Sequence, residues 1–400
     1  MGKIIRRAFI VLLCTALVSG CWDRKEVNDL AIIVGATIDK GIEEPVLLSL
    51  LLMVTSGGGG GQSMSTESEG NMGGQSSSQS EILVSAEGET VADALSKVQV
   101  KLSRKVFWGH NRVILFGEEV AKEGLEEHID FFVRHPETRL RTFTFVTKGK
   151  ANVLFETEPV LEQSRAEMLR ELIELDIGMR VSLKELMNEF GQEGKITVMP
   201  WVEQSKLTPN LPNHGYRLNG LAVFSGGKME AKLSQEESRG LMWIQDEIKQ
   251  AMVTVRPDEN EGPVSMIHLR AKTDMQAKIE NNRPVVYLNI RSEDDVLQNA
   301  SKLSLLKEPI VKQLEKKAEE DIAYYIDLAI QKLQKEEQTD ALGFGNAVLR
   351  ADPKWWKKNK NKWEEIFPTV EVRKDIKVYV RRQGMVKQPT AVPKEEVKEE

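Results

Sequence analysis

Four hundred residues, 40% hydrophobic and 29% charged, describe a folded chain of two or three domains and exclude a disordered one. A formal charge of −6 offers nucleic acid no basic footprint. Two cysteines, Cys14 and Cys21, exclude a disulfide framework and a thiolate metal cluster.

Met1 to Arg7 is basic, Ala8 to Val18 is apolar, and Val18-Ser19-Gly20-Cys21 closes the run with small residues, the order of an export signal. As a helix, Ala8 to Ser19 would cover roughly 18 Å, short of the roughly 30 Å of a bilayer core. A cleaved signal is therefore expected over 1–20. Small residues ahead of a cysteine at that point match the bacterial lipobox, which predicts a diacylglycerol on the Cys21 thiol. Two acyl chains, at about 0.8 kcal/mol per buried CH₂, hold a protein stably at a membrane. Losing Lys3, Arg6 and Arg7 with the signal takes the formal charge from −6 to −9, and so acidic an ectodomain is expected to stand off an anionic headgroup surface.

Leu30 to Val34 and Val46 to Val54 read as buried strands. Ser56 to Ser80 is glycine, serine, glutamine and methionine, too poor in apolar surface to order itself, and reads as a flexible insert because strand residues resume at Ile82-Leu83-Val84. Its five glycines do not make a phosphate loop, since Gln62-Ser63 stands where Lys-Ser/Thr is needed. Thr90 with Asp93 predicts a capped helix carrying Val91, Ala94, Leu95, Val98 and Leu102 on one face. A strand follows at Val113 to Phe116, a helix from about Glu118 through Phe132, a strand at Arg141 to Val146, and helices at Leu161 to Leu175 and, capped by Ser182 with Glu185, at Leu183 to Phe190. Leu207 to Gly215 has linker chemistry. Leu218 to Phe224 and Met229 to Leu233 flank the hairpin turn Ser225-Gly226-Gly227-Lys228.

Further on, Val286, Leu288 and Ile290 alternate with polar residues, as do Val372, Ile376, Val378 and Val380, predicting half-buried strands. Between them, Pro309 opens a long amphipathic helix marked by Ile310, Leu314, Ile322, Tyr325 and Leu333. The reading divides the chain into the signal 1–20, an N-terminal α+β domain 21–206 holding the insert 56–80, a linker 207–215, a small middle module 216–260, a C-terminal α+β domain 261–383 and a disordered tail 384–400. Elements alternate without βαβ regularity, so the fold class is α+β, multi-domain with mixed sheets, and not a doubly wound parallel sheet.

Candidate chemistry is thin. His110, His128, His135, His214 and His268 form no metal-ligand spacing. Ser225-x-x-Lys228 and Ser304-x-x-Lys307 fit the Ser-x-x-Lys pattern of penicillin-binding enzymes, but the Ser-Asp-Asn and Lys-Thr-Gly elements are missing. Gly343-Phe344-Gly345 begins like a dinucleotide fingerprint, yet Val348 takes the place of the third glycine; these glycines are expected to end a helix and turn the chain. Trp356 and Trp363, seven apart, are expected on one helical face as core. No catalytic residue, metal ligand or cofactor site is assigned.

Several stretches resemble the C subunit of spore germinant receptors, the Ger(x)C lipoprotein family. They are Gly20-Cys21-Trp22-Asp23 with Leu30 to Gly35 and Ile38-Asp39; Arg139-Leu140-Arg141 to Lys150; Leu218 to Phe224 with Arg239-Gly240; and Gly343-Phe344-Gly345, Pro353, Trp356, Trp363, Phe367 and the closing valine-rich strand. The resemblance implies a non-enzymatic subunit, acylated on Cys21, on the outer face of the spore inner membrane. It would work there with integral-membrane A and B subunits, in a receptor that responds to small nutrients. The insert at 56–80 departs from the family pattern. The competing expectation is a solute-binding lipoprotein of a transporter, which predicts two similar lobes around a ligand cleft. A cell-wall hydrolase lacks an acid, base or nucleophile set.

Overall fold

The computed structural model describes residue 2 and residues 29–54, 81–157, 159, 162–190, 196–206, 215–258 and 260–382. Cys21, the insert at 56–80, residues 207–214 of the linker and the tail from 384 lie outside the described residues.

The apolar runs near the start build the middle of a large mixed sheet. β1 (Leu30–Lys40) is buried along nearly its whole length and pairs antiparallel with β2 (Val46–Met53), which pairs antiparallel with β3 (Glu81–Gly88). The other edge of β1 runs parallel to β4 (Lys105–Phe107) and then to β5 (Val113–Gly117). β6 (Phe143–Thr147) and β7 (Ile196–Ser205) continue in parallel, and β8 (Gly215–Ser225) and β9 (Lys228–Leu233) finish the sheet antiparallel. The order is β3-β2-β1-β5-β6-β7-β8-β9, nine strands with β4 beside β1.

A parallel centre has to be covered on both faces. On one face α1 (Val91–Val100), α2 (Glu118–Glu123) and α3 (Glu126–Arg134) bury Ala94, Val98, Val120, Ile129 and Phe132. On the other, a 3-10 turn at Asn152–Glu156 and α4 (Arg165–Glu174) bury Leu154, Phe155, Leu169 and Ile173. α5 (Leu183–Phe190) returns to the first face through Leu183 and Leu186.

After β9, α6 (Gln235–Ile244) leads into a second sheet ordered β10-β11-β12-β13. β10 (Met252–Val255), β11 (Val264–Glu280) and β12 (Arg283–Asn299) are antiparallel, and β13 (Glu371–Arg382) returns parallel to β12. α7 (Glu308–Ile330) packs Leu314, Ile322 and Ile326 in one core with Leu288 and Ile290 of β12. It runs on as a π-helical turn over Gln331–Glu336, where buried Gln334 donates to the carbonyls of Phe367 (2.9 Å) and Val370 (2.8 Å). α8 (Phe344–Ala351), α9 (Pro353–Asn359) and α10 (Trp363–Ile366) precede the closing strand. The edge of β13 is protected: the N–H groups of Val378 and Val380 donate to Glu319 (3.3 Å) and Glu315 (3.0 Å) of α7, so they are closed to a further strand.

The α+β class with mixed sheets and packed helices is what the chain adopts. The helix expected from Glu118 is two helices, because Gly124 adopts φ +133, yet Leu125, Ile129 and Phe132 are all buried as expected. The α5 capping box forms, with Ser182 N donating to Glu185 (2.6 Å) and Glu185 N donating to Ser182 Oγ (3.4 Å). At α1 only half of it does: Thr90 accepts from Asp93 N (3.1 Å), but the Asp93 carboxylate takes the N–H of Glu89 (3.0 Å). Tyr325 is half-buried, and Ile326 takes the core position beside it. The stretch 216–260, read from sequence as a middle module, is divided between the sheets: its hairpin extends the first, while α6 and β10 pack with the second.

Gly240 shows how tightly α6 crosses α7. A Cβ at this position would lie 1.9 Å from the carbonyl oxygen of Tyr325, so a methyl group forces two helix backbones apart. Gly240→Ala is expected to lower stability by about 3 kcal/mol, the upper range for overpacking, read as a lower urea midpoint. An unchanged midpoint would mean that the helices separate freely.

Candidate functional site

The histidines scatter. His110 is exposed, His128 and His135 are half-buried on or beside α3, and His268 is fully buried in β11; His214 lies outside the described residues. Among the described residues no group of three or more His, Cys, Asp or Glu side chains is placed to hold a metal ion. Ser225 and Lys228 flank a turn in which Gly226 and Gly227 both take positive φ, and Lys307 caps α7.

The folded chain does assemble one serine, histidine and aspartate set that the sequence reading did not find. Register brings His268 of β11 opposite Asp294 of β12. His268 Nδ1 is 2.9 Å from Asp294 Oδ1 and 3.0 Å from Ser292 Oγ, and Ser292 Oγ donates to Asp294 Oδ1 at 2.5 Å. A catalytic triad needs the serine and the carboxylate on opposite ring nitrogens. Here both share Nδ1, all three side chains are fully buried, and Trp243 stands edge-on at 5.0 Å. The set is a buried hydrogen-bonded network between strands, without the geometry for nucleophilic attack.

Two carboxylates, buried Asp39 and half-buried Asp340, organise loops. Asp39, at the end of β1, accepts the N–H groups of Ala151 (2.5 Å) and Asn152 (3.0 Å), fixing the turn that follows β6. Burial pushes its carboxyl above the ordinary range, against those donors. Asp340 accepts from Phe344 N (2.9 Å), Gly345 N (2.6 Å) and Trp363 Nε1 (2.9 Å). Burial pushes its carboxyl up to about 6. Gly343 takes φ +81 at the cap of α8, and Gly345 lies under the Trp356 ring, where a Cβ would come within 2.8 Å. Trp356 and Trp363 meet edge-on with centroids 5.0 Å apart, though not on one helix: a 3-10 turn at Lys360–Lys362 separates α9 from α10. Both are half-buried and pack against the second core.

The raised Asp340 carboxyl makes stability depend on pH. Its ordinary value is 3.8 and its folded value about 6, so the folded state holds the proton more tightly. The resulting stability is present below pH 4 and is lost as pH rises through about 6, on the order of 3 kcal/mol in all. Urea midpoints of the wild type and Asp340→Asn between pH 4 and 7 should therefore diverge by that amount, in favour of the variant as pH rises. A difference independent of pH would show that the carboxyl is ionised throughout.

A cleft of about 510 Å³ opens where the two sheets meet. Leu175, Ile177 and Met179 come from the connection between α4 and α5, Pro200 and Leu218 from β7 and β8, and Met242 and Met252 from α6 and β10. Leu175, Ile177 and Met252 stand at its rim 59%, 63% and 57% exposed. Arg239, the cationic group in the lining, is engaged: its guanidinium donates to the Met252 carbonyl (2.8 Å) and lies 4.6 Å from the Tyr325 ring centroid. The cleft can seat an apolar group and holds no acid–base pair.

Residues 23–204 match the family described as spore germination protein N-terminal domain, and residues 219–384 match that described as spore germination B3/GerAC-like, C-terminal. The chain belongs to the GerAC-like family of spore germination proteins. It is 24% identical to spore germination protein KC of Bacillus subtilis (strain 168), over 96% of each chain. It is 25% identical to spore germination protein B3 of the same organism, over 92% of this chain and 95% of that one. The crystal structure of the GerBC protein shares the fold at TM-score 0.56 and 20% identity, covering 87% of this chain and 97% of that one.

This GerAC-like chain does not divide where its two family regions divide. The break between 204 and 219 falls between β7 and β8, which pair along Ile196 to Ser205, so the second region completes the first region's sheet. The cleft draws on both regions. Sequence reasoning missed Asp340 and the cleft, although each left a trace. An aspartate three residues before Gly343 suits a loop cap, and Leu175, Ile177 and Met179 are apolar residues in a connection that has no core of its own.

Proposed function

We propose that this chain is the C subunit of a nutrient germinant receptor, a non-enzymatic protein held by diacylglycerol on Cys21 at the outer face of the spore inner membrane. It supports germinant-triggered germination together with integral-membrane A and B subunits. The observation that carries this reading is the ordered match of both family regions along nearly the whole chain after Cys21. Two further features support it. No helix among the described residues is long and apolar enough to cross a membrane, in keeping with attachment by lipid. The cleft between the sheets presents exposed apolar side chains without reactive groups, which suits contact with a partner.

A solute-binding lipoprotein would close two like lobes on its ligand, whereas nine strands and four strands in different orders are not like lobes. Affinity purification of the intact protein from spore membranes in mild detergent is expected to bring down two polytopic proteins. Their absence, together with a saturable thermal shift of the isolated protein by a nutrient, would replace this reading with the solute-binding one.

A further inference from the structure

The three parallel pairings of β1, β4, β5 and β6 bring the starts of these strands to one end of the first sheet. Leu30 is level with Lys105, Gly35 with Val113, and Val113 with Phe143. The residues leading into those starts are basic. Lys105 opens β4, His110 and Arg112 precede β5, and Arg139 and Arg141 precede β6. Lys184 joins them because its N–H donates to the Leu140 carbonyl at 2.9 Å. Arg139, Leu140, Arg141 and Lys184 line one shallow surface hollow, and all four are exposed.

Three of the carboxylates at this end are already committed. Glu167 pairs with both Arg112 and Arg170, Glu185 caps Ser182, and Glu137 accepts the Trp108 N–H at 3.4 Å. Asp29 is the exposed acid beside the start of β1. Arg139, Arg141 and Lys184 have no ion pair among the described residues, so their charge faces outward. The opposite end is mixed: Glu43, Glu44 and Glu87 surround the turn between β1 and β2 at Ile42 and Glu118, Glu119 and Glu123 follow β5, while Lys40, Lys97 and Lys122 pair with Glu123, Glu44 and Glu118, and Lys148 and Lys150 follow β6. A chain of net charge −6 thus carries, at the strand-start end of this sheet, a cluster of cations that no carboxylate pairs with among the described residues.

That end is also where the chain arrives from Cys21. Leu30 follows Cys21 by nine residues, a reach of at most about 30 Å. We infer that the surface of Arg139, Leu140, Arg141 and Lys184 faces the membrane and rests on anionic lipid headgroups, with the guanidinium groups on phosphate oxygens and Leu140 between them. The inference rests on the reading of Cys21 as the lipid anchor. The anchor sets distance, and the basic end sets which way the protein stands.

The test uses the full acylated chain on vesicles, with an environment-sensitive fluorophore on Leu140→Cys or, at the opposite end, on Ile42→Cys; acylated Cys21 takes no label. On vesicles one-third phosphatidylglycerol, emission at position 140 should rise roughly twofold over purely zwitterionic vesicles and fall back in 1 M salt, where screening reaches about 3 Å. The rise should disappear in the variant R139E/R141E/K184E, and the label at position 42 should not respond. A silent label at 140 on a protein that floats with its vesicles would overturn the inference, and so would a response at 42. A response at 140 that needs the integral-membrane partners, and not anionic lipid, would overturn it by making the patch a protein interface. Flotation with zwitterionic vesicles reads the anchor alone, so failure there would refute the anchor reading separately.

Discussion

Trp363→Ala is expected to cost roughly 3 to 5 kcal/mol of stability, the range for emptying a large aromatic site. The indole packs against Trp356 at 5.0 Å and Phe367 at 6.1 Å, and its Nε1 donates to Asp340 at 2.9 Å. Truncation removes the ring contacts and leaves the half-buried Asp340 carboxyl short of one donor. Trp363→Phe separates the two effects, because it keeps most of the packing and loses only the donor. Its smaller cost should grow as pH rises through about 6, where Asp340 ionises and the lost hydrogen bond would have been charge-assisted. Urea midpoints at pH 5 and pH 7.5 measure both. A wild-type midpoint for the alanine variant would make Trp363 a surface residue and favour a partner-contact role.

Loss of the Cys21 thiol is expected to release the protein from the membrane without unfolding it. A protein beginning at Trp22 behind an ordinary secretory signal should be soluble and folded, whereas the wild type should partition into detergent and incorporate labelled fatty acid. Two acyl chains at about 0.8 kcal/mol per buried CH₂ make the difference nearly all-or-none. In spores the same change should slow germination by lowering the local concentration near the partner subunits, an effect of tethering. Finding the lipid-free protein fully membrane-bound in the absence of A and B subunits would overturn attachment by lipid alone.

The family resemblance singled out residues whose work is visible only in the fold. Ile38-Asp39 matters because Asp39 holds the turn at Ala151 and Asn152, 112 and 113 residues away. Arg239-Gly240 combines a guanidinium stacked on Tyr325 with the glycine that lets α6 touch α7. Gly343-Phe344-Gly345 and Trp363 are one structure, joined through Asp340. In each case the partner lies on another element, beyond the reach of local spacing.

What the sequence determined by itself is local. Apolar runs placed β1 and β2, period-2 alternation placed β12 and β13, period-3.6 patterning placed α7, and hydroxyl and carboxylate spacing placed the cap of α5, because these choices depend on neighbours a few residues apart. The α+β class followed from the order of those elements. The tertiary structure decided what depends on strand order. It split the supposed middle module between two sheets, put apolar loop residues around a cleft, and set His268 against Asp294 in a network that has no triad geometry. It also sorted charge by place. A net charge of −6 predicts repulsion from an anionic membrane, but net charge is a sum without positions. Parallel pairing of β1, β4, β5 and β6 gathers Lys105, Arg112, Arg139 and Arg141 at one end, and electrostatic forces between surfaces decay within about 10 Å, so the nearest charges govern.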